Sequence, residues 1–100
     1  MQISNGVNQG VIEAYIHPNK KIGVLVELRC ETDFVARTEE FKTLAHELCL
    51  QIAAMNPKKT SLMSQPWIKD ETKTVKELVD ESISELRENI TVKRFIRYQI

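Results

Sequence analysis

The sequence predicts an α+β fold, a two-layer β-β-α-α-β domain whose three-stranded antiparallel sheet is covered by helices on one face. Three stretches predict the strands, because their side chains alternate at the period of a half-buried strand. Two stretches between them predict the helices, because apolar residues there recur at helical spacing. One hundred residues suit a single domain.

Residues 10–17 alternate Val11, Glu13 and Tyr15 against Ile12, Ala14 and Ile16, in residue types that favour strands. Pro18-Asn19-Lys20 is a turn signal, and residues 22–28 resume the alternation with Ile22, Val24, Val26 and Leu28 on one face. Two such runs around a short turn read as an antiparallel hairpin. From Thr38 the period changes: Phe41, Leu44, Ala45, Leu48, Ile52 and Met55 form one helical face, with Glu39, Glu40, Lys42, Glu47 and Gln51 elsewhere. Thr38 suits the N-cap and the glutamates suit the positive end of the helix dipole. Asn56-Pro57 ends this helix of about five turns, since proline disfavours helical geometry in its predecessor.

Residues 58–70 follow directly on Pro57 and contain Pro66; they read as a connector, with a short extended piece at Pro66-Trp67-Ile68. Thr74 and Glu77 fit a capping box. Val75, Leu78, Val79, Ser82 or Ile83, and Leu86 carry a second helix to about Asn89. Residues 91–100 predict a third strand, with Val92, Arg94, Ile96, Tyr98 and Ile100 opposite Lys93, Phe95, Arg97 and Gln99.

Fourteen basic and fourteen acidic residues balance to a formal charge of zero, which argues against bulk attraction to phosphate. No apolar run approaches the ~20 residues that cross a bilayer, and residues 1–10 lack the charged start and apolar core of a secretion signal. The chain therefore reads as soluble and cytoplasmic, with no membrane partner. Cys30 and Cys49 make neither a disulfide framework nor a zinc pattern, and read as small buried apolar residues.

Thr32-Asp33-Phe34-Val35 lies between an apolar strand and a helix, where small polar residues are usual. A phenylalanine there either folds back over the helix start, with Asp33 capping local donors, or reaches outward as an anchor with Asp33 as its polar neighbour. His46 and Cys49 share a helix face, yet the sequence offers no oxyanion donor for a catalytic pair. His17 reads as a turn residue. No phosphate loop, metal-spaced cluster or carboxylate pair stands out, so no cofactor and no metal is expected. The basic and aromatic run Lys93–Tyr98 lacks the glycines of an RNA-stacking strand, and reads as a strand with solvated cations rather than a direct nucleic-acid site.

The chain resembles the elongation factor Ts family. Gly23 to Arg37, with Thr32-Asp33-Phe34-Val35 at its centre, is similar to the family's signature. Gln9-Gly10-Val11-Ile12 with Tyr15-Ile16-His17 resembles its first strand, and Ala45, Gln51-Ile52-Ala53 and Met55-Asn56-Pro57 resemble the following helix. Gln65-Pro66, Lys69-Asp70, Thr74-Val75 and Arg94-Phe95 fall in order behind them. The resemblance implies the core, dimerisation-type domain of a guanine-nucleotide exchange factor for elongation factor Tu, which is not an enzyme. It implies that Phe34 acts as a wedge near the magnesium and phosphate site, with Asp33 its companion and Thr32 and Val35 shaping the loop. Homodimerisation is implied for some members.

Three departures accompany the likeness. The small helical, ubiquitin-associated-like domain with which typical members begin is expected to be absent from residues 1–100. The longer insertion after the Asn-Pro helix stop shrinks to residues 58–66. Arg29 stands where the family often has asparagine.

Overall fold

The computed structural model describes residues 6–100; residues 1–5, part of the stretch read as lacking a secretion signal, lie outside the described residues. The elements run β1 (Gln9–Ile16), β2 (Ile22–Cys30), α1 (Asp33–Ala36), α2 (Glu39–Met55), a 3-10 turn (Leu62–Ser64), β3 (Pro66–Trp67), β4 (Asp70–Thr74), α3 (Val75–Leu86) and β5 (Thr91–Gln99). The main sheet has three strands in the order β1-β2-β5, antiparallel throughout. This is the α+β architecture that the alternating and helical periods predict.

Alternation in β2 decides which residues enter the core. Val24, Val26, Leu28 and Cys30 are buried, because successive side chains point to opposite faces and this face meets α2. From α2 come Phe41, Leu44, Ala45, Leu48, Cys49 and Ile52, and from the C-terminal half Leu62, Val75, Val79 and Ile90. Gly10 pairs with Arg29, and a β-carbon on Gly10 would collide with the Leu28 carbonyl, so this close approach of strands requires glycine.

The helix boundaries follow their caps. Thr38 Oγ1 accepts from Phe41 N at 3.2 Å, and the α2 helix stops at Asn56 in the left-handed conformation (φ 46°), one that asparagine tolerates well. The capping box holds as predicted, with Glu77 N donating to Thr74 Oγ1 at 3.1 Å and Thr74 N donating to Glu77 Oε1 at 2.8 Å.

Five details differ from the sequence expectation. The short extended piece read at Pro66-Trp67-Ile68 is β3, but it pairs with a strand that the sequence does not predict, β4, in a second, two-stranded antiparallel sheet. The register of β2 against β5 shifts between Glu27 and Leu28, so Val92 lies opposite Leu28 while Arg94 lies opposite Glu27. A bulge of this kind takes up one extra residue and reverses the alternation beyond it; Val92 therefore shares the inner face with Phe95 and Arg97. Gln51 is fully buried, because the β3–β4 hairpin covers the side of α2 turned away from the main sheet. Met55 is exposed in the last turn, and α3 ends at Leu86 with Arg87 as its left-handed cap, three residues short of Asn89.

Candidate functional site

The segment Thr32–Val35 leaves the buried end of β2 and turns at once into α1. Thr32 is extended (φ −124°, ψ 151°) and caps the turn, its Oγ1 accepting from Val35 N at 3.2 Å. Of the next residues, Val35 and Ala36 are buried while Phe34 is 80% exposed. One helical turn anchored by Val35 and Ala36 must point the opposite side of the turn outward, and Phe34 occupies it. Asp33 pairs with Arg37 at 2.8 Å across exposed positions, a contact worth little and easily exchanged for another. The four residues thus divide their work: Thr32 caps, Val35 anchors, and Asp33 and Phe34 face solvent.

The loop is fastened from a distant part of the chain. Glu88, just beyond the α3 cap, accepts through Oε1 from Glu31 N and Thr32 N, both at 3.1 Å. Its Oε2 accepts from Thr32 Oγ1 at 2.6 Å. In return, Glu31 Oε2 accepts from Asn89 N at 2.6 Å. The Cys30 thiol, buried beneath, donates to the Thr32 carbonyl at 3.2 Å. Burial first, and the Glu88 carboxylate next, push that thiol up, which keeps it protonated as a donor. Sequence reasoning missed Glu88. A signal was present, since an acid just past a helix C-terminus opposes the helix dipole, where basic residues are preferred.

The other candidates are placed elsewhere. Cys49 donates to the Glu13 carbonyl at 3.6 Å, and burial pushes its thiol up to about 12. His46 Nδ1 lies 3.4 Å from Glu13 Oε2, so these two helix neighbours serve β1 separately rather than each other. His17 Nδ1 is 3.0 Å from the Tyr15 hydroxyl. Arg97 donates to the Ala53 carbonyl and Arg94 to Glu27, so these two of the C-terminal strand's three cations are committed within the fold. Among the described residues, no helix is long and apolar enough to cross a membrane, and no group of three acidic, histidine or cysteine side chains could hold a metal ion.

Comparison with known proteins bears on this site. The family model described as Elongation factor TS matches residues 1–60 and 31–100, together the whole chain. The chain is 37% identical to Elongation factor Ts of Coprothermobacter proteolyticus, over 99% of its own length and 74% of that protein. It is 38% identical to Elongation factor Ts of Caldanaerobacter subterraneus, over 92% of its length and 69% of the relative. For the protein of Thermoanaerobacter pseudethanolicus the figures are 37%, 92% and 68%. The first of these matches runs over 145 positions against the 100 residues here, so that relative is longer within the matched span. Likeness of this extent, over elements that the structure arranges around one exposed phenylalanine, establishes the lineage: the chain belongs to the elongation factor Ts family.

Proposed function

We propose that this translation elongation factor binds elongation factor Tu carrying GDP and speeds GDP release by inserting the Asp33-Phe34 turn near the magnesium and phosphate site. The observation that carries this reading is Phe34, 80% exposed on a turn that Thr32 caps and the buried Val35 and Ala36 anchor. Buried against a partner, such a ring contributes about 1.5–3 kcal/mol. Thr32 and Val35 shape the turn, and Asp33 supplies a carboxylate at its rim. On this reading the work is cytoplasmic, and no covalent bond is made or broken.

Linkage supplies the mechanism. A factor that weakens GDP binding by some ratio is itself bound more weakly, by the same ratio, when GDP is present. Binding energy gained at the Phe34 contact is thereby used to disturb the magnesium and phosphate contacts, and incoming GTP displaces the factor.

The test is release of a fluorescent GDP analogue from bacterial elongation factor Tu, with the wild-type chain and with Phe34→Ala. The wild type is expected to accelerate release, and the variant to lose about tenfold or more, as for an aromatic interface anchor. Its folding stability should stay within about 0.5 kcal/mol, because the ring is exposed. Equal acceleration by both proteins would reject Phe34 as the wedge.

A second reading, a dimerisation or binding module without exchange of its own, has one observation in its favour. Ile12, Ile16, Leu25, Ile96 and Tyr98 are all exposed, and all lie on the sheet face turned away from α2. A homodimer through that face is compatible with the exchange reading and is argued further below.

A further inference from the structure

The contacts of Glu88 reach further than local packing, and we infer that Glu88 is the positioning residue that aims Phe34 for nucleotide exchange; this inference rests on the exchange reading above. Three observations carry it. One carboxylate takes up both backbone donors at the end of β2 and the hydroxyl of the residue that caps α1. A carboxylate only accepts, so the Thr32 hydroxyl proton is committed to Glu88, and the oxygen is left free to accept from Val35 N. The line from Glu88 through Thr32 to Val35 N therefore sets the start of the turn, and with it the direction of Phe34, which lies inside the span that this line closes.

The second observation is how Glu88 is delivered. Arg87 sits in the left-handed region (φ 60°), costly for a residue other than glycine. Three residues on, Ile90 is buried and opens the way into β5. Glu88 is thus held between a strained cap and a buried anchor, both outside the loop that it serves. The third is reciprocity: Glu31 returns a bond to Asn89 N at 2.6 Å, so the β2–α1 and α3–β5 junctions clasp each other from both sides. Hydrogen bonds to charged groups are the stronger kind, and four of them converge on this clasp. The exposed Asp33–Arg37 pair gives no comparable restraint.

The experiment compares Glu88→Ala, Glu88→Gln and Phe34→Ala with the wild type in the GDP-analogue release assay. For each protein the release rate at saturation and the half-saturating concentration are measured separately, together with the thermal transition and amide exchange at Thr32 and Val35. Glu88→Ala should lower the saturating rate about tenfold or more, the scale of loss for a misplaced reacting contact, with a smaller change in half-saturating concentration. The protein should still melt cooperatively, with faster exchange at the two amides. Glu88→Gln keeps one carbonyl oxygen for the two backbone donors but puts an NH2 donor where Oε2 accepts from the Thr32 hydroxyl, so it should recover only part of the rate lost in Glu88→Ala. An active wild type matched by Glu88→Ala would overturn the role of Glu88 alone. So would an equal loss in both Glu88 variants with the thermal transition gone, since that is a folding defect. A wild type that gives no acceleration would overturn the exchange reading itself and this inference with it.

Discussion

Phe34 and Glu27 show what single residues contribute on the two exposed regions of this domain. Phe34 stands in solvent because Val35 and Ala36 take the only inward positions on a four-residue turn. Its motif is contiguous, so the sequence displays it openly. The choice between folding back and reaching outward required the geometry of the turn, which follows from buried neighbours. Glu88 stands out in the sequence only as an acid past a helix C-terminus; its tie to Thr32 is not readable there, because the two lie 56 positions apart and no local pattern links them. Glu27 lies on the outer sheet face, opposite Arg94, and accepts from both Arg29 and Arg94. Bonds from Arg29 first and Arg94 next hold its carboxyl below its ordinary value of 4.5. A carboxyl lowered by folding stabilises the native state above its unfolded value, and that contribution disappears as pH falls through the folded value. Glu27→Gln should therefore melt below the wild type at neutral pH, and the gap should close between about pH 5 and pH 3. Thermal melts across that range decide it; parallel curves for the two proteins would show that solvent screens both pairs.

At the scale of elements, α2 is the piece against which the rest is organised, and Gln51 marks its second buried side. Its Nε2 donates to Gln65 Oε1 at 3.1 Å and to the Pro66 carbonyl at 3.0 Å. Its Oε1 accepts from Ile68 N at 2.9 Å. These bonds seat the β3–β4 hairpin on the helix. Period alone assigned Gln51 to the polar side, because a glutamine one turn after Glu47 usually faces water. Of the hairpin that covers it, only the first strand is readable, as a short extended piece at Pro66-Trp67-Ile68; Asp70–Thr74 is polar throughout and lacks the alternation that betrayed the main strands. The bulge in β5 was hidden for a related reason. Alternation gives the face of each residue only while register is unbroken, and the extra residue at Lys93 is set by pairing with β2. Gln51→Leu should cost about 2–3 kcal/mol, because the Pro66 carbonyl and the Ile68 amide lose their partner under cover. Denaturant unfolding measures this, and a loss below about 0.5 kcal/mol would mean that the hairpin reseats without the bonds.

For the whole molecule, the question is why one sheet face remains uncovered. Helix α2 packs on the inner face of β1 and β2, whereas α3 contacts α2, the 3-10 turn and the β3–β4 hairpin. The outer face is arranged by register into rows. Ala14, Leu25 and Ile96 form one, Ile16, Gly23 and Tyr98 the next, and Ile12, Glu27 and Arg94 a third. Its apolar rows lie toward the β1–β2 turn, and its charged pairs lie toward the end of β2 that leads into α1. An exposed patch of this kind, bordered by charges, marks an interaction surface. In a two-fold dimer the same patch meets itself, which places the apolar rows of both copies against each other without calling for a second kind of surface. Because Phe34 emerges past the charged end of β2, such a dimer leaves both wedges outward. Leu25→Asp, at the centre of the middle row, is then expected to convert a dimer to a monomer in sedimentation equilibrium at concentrations where the wild type associates. The variant should keep its fold, since Leu25 is exposed, and each monomer should keep its Phe34 turn. A monomeric wild type would reject the dimer outright. A monomeric variant with undiminished exchange would separate the two properties, with the sheet face serving assembly and the Asp33-Phe34 turn serving release.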